Sequence, residues 1–323
     1  MSGGGEPDVS MVIGAFDCAG DVQRTIESAL AQEGLCVEVI VVDDGSTDGT
    51  AAVLDTIACH DHRVRTVHVP HGGLTRALVV GCGLARAPFI ARLDAGDVAL
   101  PDRLQRQVAL LRGDPEMVLV SCDAELLGPA GELIHVLEFP EAPRQFEQTL
   151  RAADPRTICG PSHPTVVFRR RTYETVGGYR PEFYFAQDLD LWTRLAERGS
   201  FGHIHEPLCR YQFSATNISA RYRPEQHALR DLICEATAAR KQGLGDGHVL
   251  PRVRAIGPGR EKPAAATDAD YFVGSCLLKR GDRRSRRYFL RSLAARPFHA
   301  ASWAKLLLSL VPPTLLHSRG GHA

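Results

Sequence analysis

Four aspartates stand where apolar runs stop, and that placement is what could do chemistry. Residues 39–42, Val-Ile-Val-Val, run straight into Asp43-Asp44-Gly45-Ser46-Thr47-Asp48. Residues 90–93, Ile-Ala-Arg-Leu, run into Asp94-Ala95-Gly96-Asp97. In open α/β sheets, ligands bind outside the carboxyl ends of the strands. Carboxylates there accept hydrogen bonds from a polar ligand or hold a hard divalent cation through oxygen. Ser46 and Asp48 equally suit a helix cap or an Asx-turn, so Asp48 by itself reads as a cap. Paired acids at two successive strand ends leave like charges that need compensation, and they read as a site.

The elements that must position these residues follow from periodicity. Residues 9–13 and 37–42 are nearly continuous apolar runs rich in β-branched side chains, as expected of strands buried on both faces. Between them Val22, Ile26, Ala29 and Leu30 recur at helical spacing after Gly20-Asp21. A helix follows residues 46–48 with Val53, Leu54 and Ile57, then a strand over 64–69, a helix over 74–86 and a strand over 89–93. This alternation predicts βαβ units and a mostly parallel sheet. Beyond Asp97 the rhythm changes. Pro101 opens a helix carrying Leu104, Val108 and Leu111. Residues 118–127 and 133–139 flank Gly128-Pro-Ala-Gly131 as a hairpin, and 165–169 reads as a strand. An amphipathic helix over 188–198 turns Leu191, Trp192 and Leu195 inwards. From about Tyr222 the pattern is helical, interrupted by a Gly- and Pro-rich loop over 243–266. Residues 270–297 have the look of a helical hairpin.

Length and composition bound the rest. The 323 residues, 44% hydrophobic and 24% charged, fit two globular domains and not a disordered chain. Thirty-eight Lys+Arg balance 38 Asp+Glu, yet residues 252–323 alone carry a net charge of +10, which leaves −10 for residues 1–251. The nine cysteines are scattered, with no CxxC pair, and suit free thiols of a reducing compartment. The N-terminus lacks a signal-peptide pattern. The apolar stretch 303–316 contains Lys305 and is broken by Pro312-Pro313, so it falls short of the roughly 20 residues that span a bilayer. A cytoplasmic protein is expected.

The motifs, taken in order, resemble those of a family 2 glycosyltransferase, the inverting, nucleotide-sugar-dependent group with the GT-A fold. Residues 9–17, Val-Ser-Met-Val-Ile-Gly-Ala-Phe-Asp, look like its first strand. Residues 41–50, Val-Val-Asp-Asp-Gly-Ser-Thr-Asp-Gly-Thr, match its most distinctive string almost residue for residue. Residues 92–104 are similar to its metal-motif segment. His163-Pro-Thr-Val-Val-Phe-Arg169, Gly177-Gly-Tyr179 and Gln187-Asp-Leu-Asp-Leu-Trp-Thr-Arg194 resemble its acceptor and base segments. The likeness covers about residues 9–220. It implies a GT-A domain (Rossmann-like, mostly parallel sheet with flanking helices) over 1–220 and a small helical domain over 221–323.

The resemblance also assigns expected roles. A nucleoside diphosphate sugar, foremost a UDP-sugar, would bind with Phe16 walling the base, Asp44 accepting from its ring N–H and Asp43 orienting the turn or touching the ribose. Arg76, after Gly72-Gly73, could pair with the diphosphate, although an exposed helix Arg reads equally well as solvated. The family's Asp-x-Asp contacts the ribose and a Mg2+ or Mn2+ ion. Here the third position is Gly96, which offers no ligand, so Asp94, Asp97 or both would hold the metal. Inversion is a direct displacement, in which a carboxylate takes the proton of the attacking hydroxyl. The family's Glu-Asp pair is Gln187-Asp188 here, which makes Asp188 the expected base and Asp190 a structural acid. His163 and Arg92 would touch acceptor or donor, although a lone His is more often structural. Where many relatives carry a diphosphate-binding His after residue 211, this chain reads Gln212-Phe-Ser214. The departures at Gly96, Gln187 and Ser214 leave open a non-catalytic, nucleotide-sugar-binding or scaffold member.

Other signals carry less. Gly81-Cys-Gly83 lacks the third glycine and the position of a dinucleotide fingerprint. A nucleotidyltransferase would want a Gly-rich phosphate loop, and residues 14–17 are not one. His60-Asp-His62 and His203-Ile-His205 lack the partners and spacing of a zinc site. Lys279, Arg280, Arg283, Arg284, Arg286 and Arg287 place six cations within nine residues. No aromatic motif interleaves them, so no nucleic-acid partner is expected. Such a run is either a solvated face or, with residues up to 316, a surface for anionic lipid headgroups. The acceptor would be a glycan or a lipid-linked glycan.

Overall fold

The computed structural model describes residues 5–138, 144–213, 223–257 and 266–310. Its centre is a sheet of nine strands among the described residues, ordered β3-β2-β1-β4-β8-β6-β9-β5, with β7 paired to β6. Strands β1 (Val9–Ala15), β2 (Val37–Asp43), β3 (Val64–His68) and β4 (Phe89–Arg92) are mutually parallel. Every residue of β2 and β4 is buried, which is why both read as unbroken apolar runs up to their acidic ends. Strand β8 (Val167–Arg169) pairs antiparallel with β4 and with β6 (Met117–Leu127), and the short β5 (Val98–Ala99) pairs antiparallel with β9 (Ser200–Gln212).

Helices cover both faces of the parallel half. Helix α1 (Val22–Leu30) buries Val22, Ile26 and Ala29 at the spacing the sequence predicts. Helix α2 (Thr50–His60) follows β2, and α3 (Leu74–Gly83) follows β3, with Gly81 inside the helix. Helix α4 (Arg103–Gly113) buries Leu104, Val108 and Leu111. Helix α5 (Arg144–Ala152) contributes Phe146 and Leu150 to the core, and α6 (Arg170–Thr175) contributes Tyr173. Helix α7 (Gln187–Ala196) buries Leu191, Trp192 and Leu195, and the Trp192 indole donates to the Pro161 carbonyl at 3.1 Å.

Two compact units divide the chain differently from a cut at residue 220. The first comprises residues 1–124, 138–211 and 222–261; the second comprises 125–137, 212–221 and 262–323. Helices α8 (Arg223–Lys241) and α9 (Leu250–Ile256) therefore belong with the sheet and not with the C-terminal helices. The reason is apolar burial: Leu229, Leu232, Ile233 and Val253 join the same cluster as Phe168 and Trp192. Helix α9 also occupies part of the stretch read as the 243–266 loop. In the second unit the end of β6 from residue 125 and β7 (Leu133–Leu137) accompany α10 (Ala266–Lys279), α11 (Ser285–Ala295) and α12 (Ala300–Leu308). Its small core holds Ile134, Val273, Leu277 and Tyr288, and the Tyr288 hydroxyl bonds the buried Glu132. The expected helical hairpin is α10 and α11.

Candidate active site

Parallel pairing brings the two acidic strand ends and Phe16 to one edge of the sheet. Ala15 of β1 lies opposite Asp43 of β2, and the Asp44 amide donates to the Ala15 carbonyl at 2.8 Å. Phe16 follows directly. After a strand that is almost wholly buried, its ring is 46% exposed. The His71 imidazole lies 4.4 Å from that ring, tilted by 35°. Two such rings form a wall suited to a planar base. His71 escaped the sequence analysis; the available signal was Pro70-His71-Gly72-Gly73, a ring in front of a glycine pair at a strand end.

The neighbouring carboxylates hold the loops of this edge. Asp43 is buried, accepts the Ser46 amide at 3.1 Å and faces His68 Nδ1 at 2.9 Å. Burial opposes its charge, but the bonds from Ser46 and His68 outweigh that effect and keep its carboxyl below the ordinary range. His68 is correspondingly raised, by Asp43 first and by Asp55 second. Asp44 is also buried, and its two oxygens accept the Gly72 and Gly73 amides, each at 2.8 Å. Asp44 thus fixes the loop that presents His71. Gly73 has φ 87°, and a Cβ there would lie 2.3 Å from the Tyr184 ring, so only glycine fits. Thr75 donates to the Phe183 carbonyl at 2.8 Å, which ties this loop to the segment leading into α7. Arg76, in the first turn of α3, is exposed and has no ion pair among the described residues.

The metal-motif segment is supported from inside the sheet. Asp94 follows β4 with its side chain 38% exposed, and Arg92 Nη2 grips its carboxylate. Arg92 itself is wholly buried: Nη1 donates to the Val12 and Leu93 carbonyls at 2.9 and 2.7 Å, and Nε to His163 Nε2 at 3.3 Å. His163 Nε2 also meets the Tyr179 hydroxyl at 2.6 Å. Accepting there puts the ring proton on Nδ1. Burial, then the Arg92 charge, drives the His163 pKa well down, so the imidazole is neutral. Arg92 and His163, expected to touch acceptor or donor, are held by these contacts to protein groups. Both are interior, and the guanidinium is committed to protein groups. They position Asp94.

Asp97 is mostly buried, and its amide closes a tight turn on the Asp94 carbonyl at 3.1 Å. Between them Gly96 has φ 102°, a conformation that disfavours an aspartate at this position. Thr25 of α1 pins the turn, accepting the Gly96 amide and donating to the Asp97 carbonyl, both at 2.9 Å. The oxygens of Asp94 and Asp97 are hard donors of the type that holds Mg2+ or Mn2+, and Asp94 is the more open of the two.

Asp188 heads α7, half-buried, with Oδ1 accepting the Leu189 amide at 2.8 Å. Its carboxyl is raised above the ordinary aspartate value, by burial first and then by the charge of Asp94, against the pull of Arg92. A raised pKa suits a carboxylate that takes up a proton. Asp190, two residues on, is fully engaged by Arg180 and Arg194, and Arg180 continues to Asp246 at 2.8 Å. That acid is structural, as its spacing suggests. Ser214 lies outside the described residues.

A second cluster corrects the dismissal of His203-Ile-His205. Strand β6 supplies the missing partner: Asp123 Oδ1 lies 2.8 Å from His203 Nε2, and the ligand atoms of Asp123, His203 and His205 all fall within 4.8 Å of one another. Burial lowers the His203 pKa, against the effect of Asp123. Strand β9, which carries both histidines, shows no strand pattern in the sequence.

This sheet, with an acidic edge and a carboxylate-headed helix beside it, defines a GT-A glycosyltransferase fold. The model of glycosyl transferase family 2 matches residues 10–177, just over half of the chain, and the chain belongs to that family. It is 29% identical over 201 residues to the chondroitin synthase of Pasteurella multocida, covering 62% of this chain and 20% of that protein. The succinoglycan biosynthesis protein ExoO of Rhizobium meliloti is 38% identical over 148 residues, 45% of this chain and 41% of ExoO. The putative glycosyltransferase EpsE of Bacillus subtilis is 30% identical over 204 residues, 61% of this chain and 69% of EpsE. The chain thus spans about a fifth of the synthase and two fifths of ExoO. Among solved structures, residues 1–349 of S. aureus TarS share the fold at a TM-score of 0.56 and 14% identity, over 94% of this chain and 90% of that one. The mannosyltransferase PcManGT of Pyrobaculum calidifontis, solved with GDP-Man and Mn2+, does so at 0.52 and 20%, over 95% and 86%.

Proposed function

We propose that this glycosyltransferase moves a sugar with inversion from a nucleoside diphosphate donor, foremost a UDP-sugar, to a glycan hydroxyl in polysaccharide or other surface-glycan synthesis. The observation that supports this reading is the placement of carboxylates: Asp94 follows β4, Asp188 heads α7, and the charge of Asp94 adds to the burial that raises the Asp188 carboxyl. In this reading Phe16 and His71 flank the base of the donor. Asp44 Oδ2 faces His71 Nδ1 at 3.0 Å besides the Gly73 amide, which leaves the second lone pair of Oδ1 for a ring N–H while the carboxylate anchors Gly72 and Gly73. Asp43 steadies the turn beside the ribose, and Arg76 meets the diphosphate. Asp94 and Asp97 would hold a divalent cation, which would supply positive charge to neutralise the diphosphate leaving group. Asp188 accepts the proton of the acceptor hydroxyl as that oxygen forms its bond to the anomeric carbon and the bond to the nucleoside diphosphate breaks. The names of the chondroitin synthase and ExoO support a polysaccharide acceptor. A panel of nucleotide sugars screened for thermal stabilisation with and without Mn2+ tests the donor and the metal together. Stabilisation by one donor, dependent on the metal, is expected. Indifference to every nucleotide sugar would overturn the reading.

A membrane-proximal acceptor is favoured by the second unit. It exposes Phe298, at 98%, along with Trp303, Leu307, Leu308 and Leu310, and it also exposes Arg280, Arg283, Arg284 and Arg287. Cations beside apolar side chains fit an anionic lipid surface, to which each basic residue contributes about 1 kcal/mol. Residues 311–316 of the expected patch lie outside the described residues. Among the described residues no helix is long and apolar enough to cross a membrane. The free cysteines support a cytoplasmic location, on the membrane's inner face. Co-sedimentation with phosphatidylserine vesicles, lost on adding salt, is the expected result; equal recovery with neutral vesicles would contradict it.

A further inference from the structure

We propose that Asp123, His203 and His205 form a second metal site, for a dication of the zinc class. It shares no residue with the Asp94 site at the strand ends. His203 and His205 are two apart on β9, so the pleat turns both imidazoles to one face of the sheet, where Asp123 of β6 meets them. The two rings stand edge to face with centroids 4.7 Å apart. A tetrahedral zinc ion bonded at about 2.0–2.2 Å asks for ligand atoms roughly 3.3 Å apart. With the atoms already within 4.8 Å, small side-chain rotations suffice.

The surroundings support coordination in a second way. His203 is buried, and its other nitrogen, Nδ1, lies 2.8 Å from the Ser121 hydroxyl, which can itself donate to the Gly202 carbonyl at 3.4 Å. Metal-bound histidines are commonly oriented by such a bond on the far nitrogen. Without metal, Nε2–H donates to Asp123. On binding, that proton moves to Nδ1, Ser121 accepts it as a hydrogen bond and turns its own hydrogen to Gly202, and Nε2 takes the ion. The change is a tautomer shift, with no net proton lost. Two imidazoles and one carboxylate favour Zn2+ over the all-oxygen preference of Mg2+. His205 is exposed, which leaves a path for the ion and a fourth position for water. An ion there would clasp β6 to β9, and β9 runs on to Arg210, paired with Val98 beside Asp97.

The test uses the full chain, stripped with chelator and titrated calorimetrically with Zn2+ in a large excess of Mg2+. One Zn2+ per chain is expected, with the same isotherm in Asp94→Asn and loss of binding in His205→Ala and in Asp123→Asn. His205 is exposed, so its substitution preserves the fold, and circular dichroism of the metal-free variant verifies this. Co2+ in place of Zn2+ should give a tetrahedral visible spectrum without a thiolate charge-transfer band, which separates this site from the cysteines. Absence of stoichiometric binding, binding that survives His205→Ala, or a thiolate band would each overturn the proposal. None of these outcomes depends on the identity of the donor sugar or on turnover.

Discussion

Arg92 lies wholly inside the sheet, and its guanidinium holds the carboxylate of Asp94 at the mouth of the site. Burying a guanidinium is costly unless it is paired and hydrogen-bonded, and here the Val12 and Leu93 carbonyls and His163 accept further bonds from it. Arg92→Lys keeps the charge but loses the fork that reaches Asp94 and His163 together. The variant should need several-fold more Mn2+ for half-maximal activity while kcat at saturating Mn2+ stays near that of the wild type. Arg92→Met, which leaves the buried Val12 and Leu93 carbonyls without their donor, should lose about 1–3 kcal/mol of stability in denaturant titration.

The raised carboxyl of Asp188 sets a pH dependence whose sign can be worked out. A base must be ionised, so the acidic limb of kcat should fall at a higher pH than the ordinary aspartate value of 3.8. For stability, folded and unfolded chains are both protonated well below that value, and the residue is then neutral. As pH rises through the higher folded value, the buried charge becomes a cost. Asp188→Asn should therefore melt above the wild type at neutral pH, with the gap closing in acid, as scanning calorimetry across pH would register.

Phe16 and His71 face each other as a ring pair, and their proposed contact with the donor base should be separable from chemistry. Phe16→Ala should weaken UDP binding by roughly 1–3 kcal/mol, about 5- to 150-fold, as measured by calorimetric titration. Its melting temperature should change little, because the ring is half exposed.

Metal removal follows from the oxygen donors at Asp94 and Asp97. Chelation should abolish transfer, and Mg2+ or Mn2+ should restore it. Asp94→Asn should raise the concentration needed by an order of magnitude or more, read from activity against free metal.

Much of this site was legible because strands buried on both faces have no alternation to obscure where they end. The runs before Asp43 and Asp94 stop where β2 and β4 stop, and Asp188 sits at the head of α7 as its helical spacing implies. What stayed hidden depends on distant pairing. Strand β9 is interrupted in sequence by His203, His205, Pro207 and Arg210, so its pattern suggests no strand, and Asp123 reaches His203 across 80 residues. Arg92 reads as a ligand contact until the sheet closes over it. The position of α8 and α9 with the first unit depends on where their apolar faces land, which periodicity within a helix cannot show.

The central claim is that Asp188 is the base of an inverting transfer, and single-turnover assay of Asp188→Asn tests it most directly. Wild type should yield a product whose anomeric configuration, read by NMR, is opposite to the donor's. The variant should bind donor and metal with unchanged affinity and lose about 10²–10⁴-fold in the transfer rate. Transfer at the wild-type rate, or retention of configuration by the wild type, would contradict the account.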